Sequence, residues 1–144
     1  MRALLDINLL IALIDPDHIF HRRAHAWWIA NRNHGWASCP LTENGVVRVM
    51  SNPAYSRRMQ LNPAELIELL GDFARRTGHE FWPDELSLRD RQHFIAERIH
   101  GTQQLTDIYL LGLATSHEAR LVTFDQTIPL SAVVKAAPNN LAVV

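Results

Sequence analysis

The chain has 144 residues, with 14 Lys and Arg against 15 Asp and Glu, eight His, a single Cys and 47% hydrophobic residues. A chain of this length buries roughly 70% of its unfolded surface, so one domain over 1–144 is expected without help from disulfides or a structural metal. The lone thiol, Cys39, excludes an intramolecular disulfide framework and any multi-cysteine zinc or iron–sulfur centre, and points to a reducing compartment, the cytoplasm. No apolar run approaches the roughly 20 residues needed to span a bilayer. The opening MRALLDINLLIALID carries Asp6 and Asp15 inside its apolar stretch, unlike a signal peptide or a membrane anchor. The formal net charge of −1 provides no global basic field of the kind usual for nucleic-acid binders. Arg outnumbers Lys 13 to 1, a bias better explained by a GC-rich genome than by selection for phosphate binding.

In chain order, Arg2–Leu5 reads as a short buried strand ending at Asp6, followed by an apolar helix over 8–14 that stops at Asp15-Pro16. From Asp17 an amphipathic helix is expected, with Phe20, Ala24, Trp27 and Trp28 on its apolar side, ending near Asn33-Gly35. Trp36–Cys39 is the second strand. Thr42-Glu43 opens the next helix, which runs through Val46, Val47 and Met50 to Asn52-Pro53. Asn62-Pro63-Ala64-Glu65 is a strong helix start, with Leu66, Leu69, Leu70 and Phe73 as the buried stripe and Thr77-Gly78 as the end. Phe81-Trp82 reads as a third strand, and 84–101 as broken helix. Leu105-Thr106-Asp107 opens a helix that is apolar nearly all round and therefore central. Leu121–Phe124 is a fourth strand, and 141–144 a possible fifth. Strands alternating with helices imply an α/β fold with a mainly parallel sheet of four to five strands covered on both faces.

On this map Asp6 and Asp125 end strands one and four, while Glu43 and Asp107 lie in the first turns of helices. In a parallel sheet all four fall along the edge where open α/β folds place their ligands. Helix N-termini favour an anion by only about 0.3–1 kcal/mol each, too little to hold four converging carboxylates. The basic residues near them in sequence, Arg2 and Arg48, are too few. A bound divalent cation is the economical countercharge, and oxygen-only ligands suit Mg²⁺ or Mn²⁺ better than zinc. Glu43 and Asp107 taken singly are better explained as caps or helix-dipole partners. His18, His21 and His25 recur at i, i+3 and i+7 and offer a competing zinc site, though a solvated helix face explains them better. Trp27 and Trp28 fit core packing better than base stacking, and Cys39 reads as a small buried hydrophobe rather than a nucleophile.

The strings LLDINLLIALID (4–15), CPLTENGVVRVMSNP (39–53), QLTDIYLLGLA (104–114) and LVTFD (121–125) resemble the four acidic motifs of PIN-domain nucleases. PLTENG with SNP, FWPDELSL (81–88) and QLTDIYLLGLA resemble, more narrowly, the VapC toxins of bacterial VapBC toxin–antitoxin systems. The resemblance spans essentially the whole chain and places Asp6, Glu43, Asp107 and Asp125 on the family's acidic quartet. It also places Asn8 on the small polar position after the first acid and Thr123 on the hydroxyl position two before the last. Ile108 departs from the pattern, being larger than usual.

The resemblance implies a PIN-like three-layer α/β/α sandwich, a homodimer, and an Mg²⁺-dependent endoribonuclease, Mn²⁺ substituting, that acts on RNA such as tRNA or rRNA. It also implies inhibition by a VapB-type antitoxin whose C-terminal segment occupies the active-site groove. On this reading Asp6, Asp107 and Asp125 hold the metal, Glu43 ligates through water or orients the attacking hydroxide, and Arg48, Arg57 and Arg58 are candidate phosphate contacts. Two other classes are open. One is a non-catalytic PIN-like module that docks a basic peptide in the acidic crevice. The other is an Asp-nucleophile phosphatase or phospho-receiver using Asp6, for which Lys135 is the only lysine available.

Overall fold

A computed structural model describes all 144 residues. Its five strands, β1 (Ala3–Leu5), β2 (Trp36–Ser38), β3 (His79–Phe81), β4 (Arg120–Thr123) and β5 (Leu141–Val143), form one sheet in the order β3-β2-β1-β4-β5. Every pairing is parallel, with Leu4 opposite Ala37 on one side and Leu121 on the other. The helices are α1 (Ile7–Ile14), α2 (His21–Asn31), α3 (Pro40–Met50), α4 (Pro63–Arg76) and α5 (Leu105–Ser116). Chain order leaves β1 in one direction toward β2 and β3 and resumes on its other side with β4 and β5. The junction of β1 and β4 is therefore the topological switch point, where parallel sheets open a crevice at the carboxyl ends of their strands.

Alternation along three-residue strands divides the interior into two cores. Ala3, Leu5, Trp36 and Val122 face α1 to α4, packing with Leu9, Leu10, Val46, Met50, Leu66 and Trp28. Leu4, Ala37 and Leu121 face the opposite way, onto Ile108, Leu111 and Ala114 of α5 and onto Trp82, Phe94 and Val133. This is the expected three-layer arrangement. Trp28 is buried edge-on against Trp36, with ring centroids 6.4 Å apart at 82°. Trp27 lies half-buried beneath the Arg120 guanidinium. Both tryptophans are thus structural, and no helix is long and apolar enough to cross a membrane.

The boundaries differ from expectation where side chains or distant backbone capture hydrogen bonds. The second helix begins at His21 rather than Asp17, because Asp15 Oδ1 accepts the Asp17 N–H and His18 Nδ1 accepts the Phe20 N–H, holding 15–20 in turns. Cys39 caps α3 instead of closing β2, with Pro40 at the first helical position. The third strand lies at His79–Phe81, two residues earlier than Phe81-Trp82, as an exposed edge strand with β2 as its one neighbour. The fourth ends at Thr123 and leaves Phe124 outside.

Residues 84–101 hold no α-helix, only turns and one short 3₁₀ segment at Ala96–Arg98. Their backbone pairs instead with 130–134: Ile95 N–H donates to Ala132 O, and Val134 N–H donates to His93 O, both at 2.9 Å. Phe94 fastens this segment to α5. It is 1% exposed and sits so close to Gly112 that a β-carbon there would meet its ring at 2.4 Å. Phe94→Ala should therefore cost about 3–5 kcal/mol of stability. Urea denaturation should show it as a lowered midpoint with an unchanged slope.

Candidate active site at the carboxyl edge of β1 and β4

Asp6 directly follows β1 and is 4% exposed. Its backbone N–H donates to Val122 O at 3.0 Å, extending the β1–β4 pairing by one residue. Its Oδ1 caps α1 by accepting the Ile7 N–H at 2.6 Å. Its Oδ2 accepts the Thr123 hydroxyl at 2.9 Å, and the same hydroxyl oxygen accepts the Asp125 N–H at 3.1 Å. Thr123 therefore links the turn after β4 to the turn after β1. Asp125 Oδ1 in turn accepts both the N–H and the hydroxyl of Thr127 at 2.7 Å.

Asp107 enters from the first turn of α5 and completes a trio of carboxyls. Burial pushes its pKa up from 3.8 to about 7, and the charges of Asp6 and Asp125 push in the same direction. The Asp125 side chain adds to the rise of Asp107, while Asp107 helps to lower Asp125. Burial also raises Asp6 above the ordinary carboxylate range, against the pull of its Thr123 and Ile7 hydrogen bonds, with the Asp125 charge adding to the rise. Asp125 is held low by the Thr127 hydroxyl and backbone N–H. Three acids, two of them resisting ionisation because of burial and one another, form a site of unmet negative charge. No three Asp, Glu, His or Cys side chains form a closed cation cage. The oxygen-only donor set and the raised pKa values of Asp6 and Asp107 nonetheless fit a hard divalent cation as countercharge.

Glu43, in the first turn of α3, finds its hydrogen-bond partner on β2. Its Oε1 accepts the Ser38 hydroxyl at 2.6 Å, and Ser38 Oγ lies 2.8 Å from His79 Nε2. Burial lowers the His79 pKa, while the Glu43 charge pulls it back up. Leu41, Asn44, Gly45 and Arg48 lie on the side of α3 toward Ile7, and a β-carbon on Gly45 would come within 2.3 Å of Ile7 Cδ1. Residue 43 is about 200° around the helix from residue 45. Glu43 instead lines a groove of about 600 Å³ between α3 and α4, with Val47, Ile67, Leu70 and Ala74 among its walls.

Asn8 is exposed in the first turn of α1, outside the hydrogen bonds that organise the acids. Ile108 is fully buried in the α5 core, so its bulk does not intrude on the site. Arg48 borders both the α3–α4 groove and a second cavity of about 540 Å³, and it forms no ion pair. Arg57 and Arg58 lie on the exposed segment after α3, where Arg58 approaches Asp17 at 3.9 Å.

Sequence reasoning missed Asp84 and Thr106, which line that second cavity with Ile7, Gly45 and Arg48. Asp84 belongs to the FWPDELSL string, but its non-periodic surroundings gave no way to place it. Its charge, second to burial, helps push the Tyr109 phenol up to about 12. Cys39 is buried and its thiol is pushed up to about 11, chiefly by burial, which makes it a poor nucleophile. In the histidine cluster, His18 Nδ1 accepts the Phe20 N–H and His21 Nδ1 bonds Ala12 O at 2.7 Å, so both are engaged in local structure. Lys135 shares a cavity with Met1, at the amino edge of the sheet, opposite Asp6. That placement removes the lysine an aspartyl-phosphate site would require.

A family model for the PIN domain matches residues 3–133. The chain belongs to the PIN-domain family. Within it the chain falls in the VapC group. It is 46% identical over 142 residues to Ribonuclease VapC44 of Mycobacterium tuberculosis (strain ATCC 25618 / H37Rv), covering 99% of each chain. It is 38% identical over 132 residues to Ribonuclease VapC39 of the same strain, covering 92% of this chain and 94% of the relative. The crystal structure of VapBC2 from Rickettsia felis bound to a DNA fragment from their promoter matches with a TM-score of 0.51 at 14% identity, over 87% of this chain and 89% of that one. That likeness is one of fold.

The raised Asp107 pKa has a definite sign in stability. The folded protein holds this proton more tightly than the unfolded chain does, so stability from this group falls as pH rises from about 4 to about 7. Asp107→Asn should therefore stabilise the metal-free protein at pH 8 by about 1–2 kcal/mol after allowance for solvent screening. The advantage should vanish near pH 4. Thermal melts of both proteins across that range, in chelator, measure it.

Proposed function

We propose that this chain is a divalent-cation-dependent endoribonuclease, the toxin of a VapBC-type toxin–antitoxin pair. The observation that carries the reading is the crowding of Asp6, Asp107 and Asp125 at the switch point of the sheet, in a chain whose curated relatives are named ribonucleases. Asp6, Asp107 and Asp125 would hold Mg²⁺, with Mn²⁺ able to substitute. The ion when bound supplies neutralisation of phosphoryl charge and a water of lowered pKa. Thr123 orients Asp6 through its hydroxyl, the cap on Ile7 fixes the other oxygen, and Asp107 would have to be ionised to hold the ion.

Glu43 is assigned outside direct ligation, toward the α3–α4 groove. Asn8 has its amide free to meet substrate beside Asp6. Arg48, the unpaired cation at the rim, is the proposed phosphate contact, and structured RNA such as tRNA or rRNA the proposed substrate class. A VapB-type antitoxin is the proposed protein partner. The groove beside Glu43 and Arg48, walled by Val47, Ile67 and Leu70, has the shape for a peptide segment reaching toward the acids. The homodimer and cytoplasmic location carried by the family resemblance complete the reading.

Because water is the attacking group, new ends should carry 5′-phosphate and 3′-hydroxyl. Total RNA incubated with the wild type in Mg²⁺ should yield such ends at discrete positions. Asp6→Asn should lower the rate about a hundredfold or more, and chelator should abolish it. Full activity in Asp6→Asn, or 2′,3′-cyclic phosphate ends, would overturn the assignment.

A further inference from the structure

Beside Asp125 lies a cavity of about 370 Å³ with no apolar side chain in its lining, which includes His100, Thr102, Gln103, Gln104 and Thr127 together with Asp125 itself. Its volume lies in the range of small-ligand sites, about 300–1,000 Å³, and its chemistry is narrow. No Lys or Arg borders it, so it is unsuited to a phosphate. The missing apolar wall makes it equally unsuited to a hydrophobic peptide side chain. Two amides, two hydroxyls and an imidazole remain, a set suited to an uncharged planar group rich in donors and acceptors.

The Gln104 amide is incompletely used. Its Nε2 donates to Thr127 O over a long 3.4 Å, and its Oε1 is buried with no donor. A buried acceptor without a partner is costly, and a side chain held by one long bond turns easily toward a ligand that offers a donor. The cavity shares Asp125 with the acidic trio, so its occupant would adjoin the scissile phosphate.

We infer that this cavity is a nucleobase-recognition subsite. The base of a nucleotide flanking the cleaved bond enters it, with Gln104 accepting from a base N–H, Gln103 and Thr102 meeting the remaining edge, and the exposed His100 ring stacking on its face. The inference rests on the endoribonuclease reading and supplies that reading with a source of sequence preference. The segment carrying it, 100–104, follows the irregular stretch after β3 and leads into α5.

The test is cleavage of a random-sequence RNA pool in Mg²⁺ with mapping of new 5′ ends, for wild type, Gln104→Ala, Gln103→Ala, and Gln92→Ala as a control in a distant cavity. The wild type should show a base preference at one position flanking the cut. Gln104→Ala should flatten it about fivefold or more, Gln103→Ala should weaken it, and Gln92→Ala should leave it intact. Mn²⁺ affinity measured by calorimetry should be the same in all four, which separates base reading from damage to the acidic site. An unchanged preference in Gln104→Ala overturns the inference. Absence of cleavage by the wild type would sink the ribonuclease reading instead. Binding of short RNAs differing at one base, compared between Asp6→Asn and Asp6→Asn/Gln104→Ala in Mg²⁺, then decides the subsite alone: equal discrimination by both refutes it, and loss of discrimination in the double variant supports it.

Discussion

Two parallel strands that meet at the reversal of chain order must end somewhere, and here the hydroxyl of Thr123 determines how. By donating to Asp6 while accepting from the Asp125 backbone, it sets the turn after β4 against the turn after β1. Asp6 consequently cannot swing into solvent to relieve its charge. Once it is fixed, α5 brings Asp107 against it, and the rise in the Asp107 pKa follows from burial and from proximity to two anions. The remainder of the fold serves to keep this crowding in place. The fully buried strands β1 and β2 supply rigidity, and an α5 buried on nearly all sides prevents the third acid from backing away.

That crowding would be a pure loss for a protein without a counterion. Removing one anion relieves it, and so does binding a cation, but the two have opposite consequences for function. Family membership gives the arrangement its context, since curated relatives similar over nearly the entire chain are named as ribonucleases. The physical strain and the relationship are independent, one read from burial and charge, the other from sequence identity.

Much of the architecture was legible because apolar trios such as Ala3-Leu4-Leu5, stopped by Asp6, have no alternative to a buried strand. Asn62-Pro63 announced α4 by a cap that the structure realises, with Asn62 accepting the Glu65 N–H at 2.9 Å. What could not be read depended on direction or on distance. A first-turn position told where along α3 Glu43 stands, but not which way it points, and its hydroxyl partner Ser38 lies on a strand where alternation alone does not reveal a polar inward contact. The stretch after β3 lacked periodicity because its hydrogen bonds go to residues some forty positions later in the chain. The edge strand β3, half-exposed and paired on one side only, carried too weak a pattern to locate within two residues.

The fastening of that irregular stretch through Phe94 divides the molecule into parts that can change at different rates. The acids stand on strand ends and a buried helix, where any substitution disturbs both the sheet and the charge balance. The polar tip at 100–104 hangs from a segment anchored elsewhere, by Phe94 and by backbone hydrogen bonds to 132–134, so its side chains can be exchanged with no strand pairing at stake. Substitution at 100–104 can thus reshape the surface beside Asp125 while leaving the strand pairing beneath it untouched.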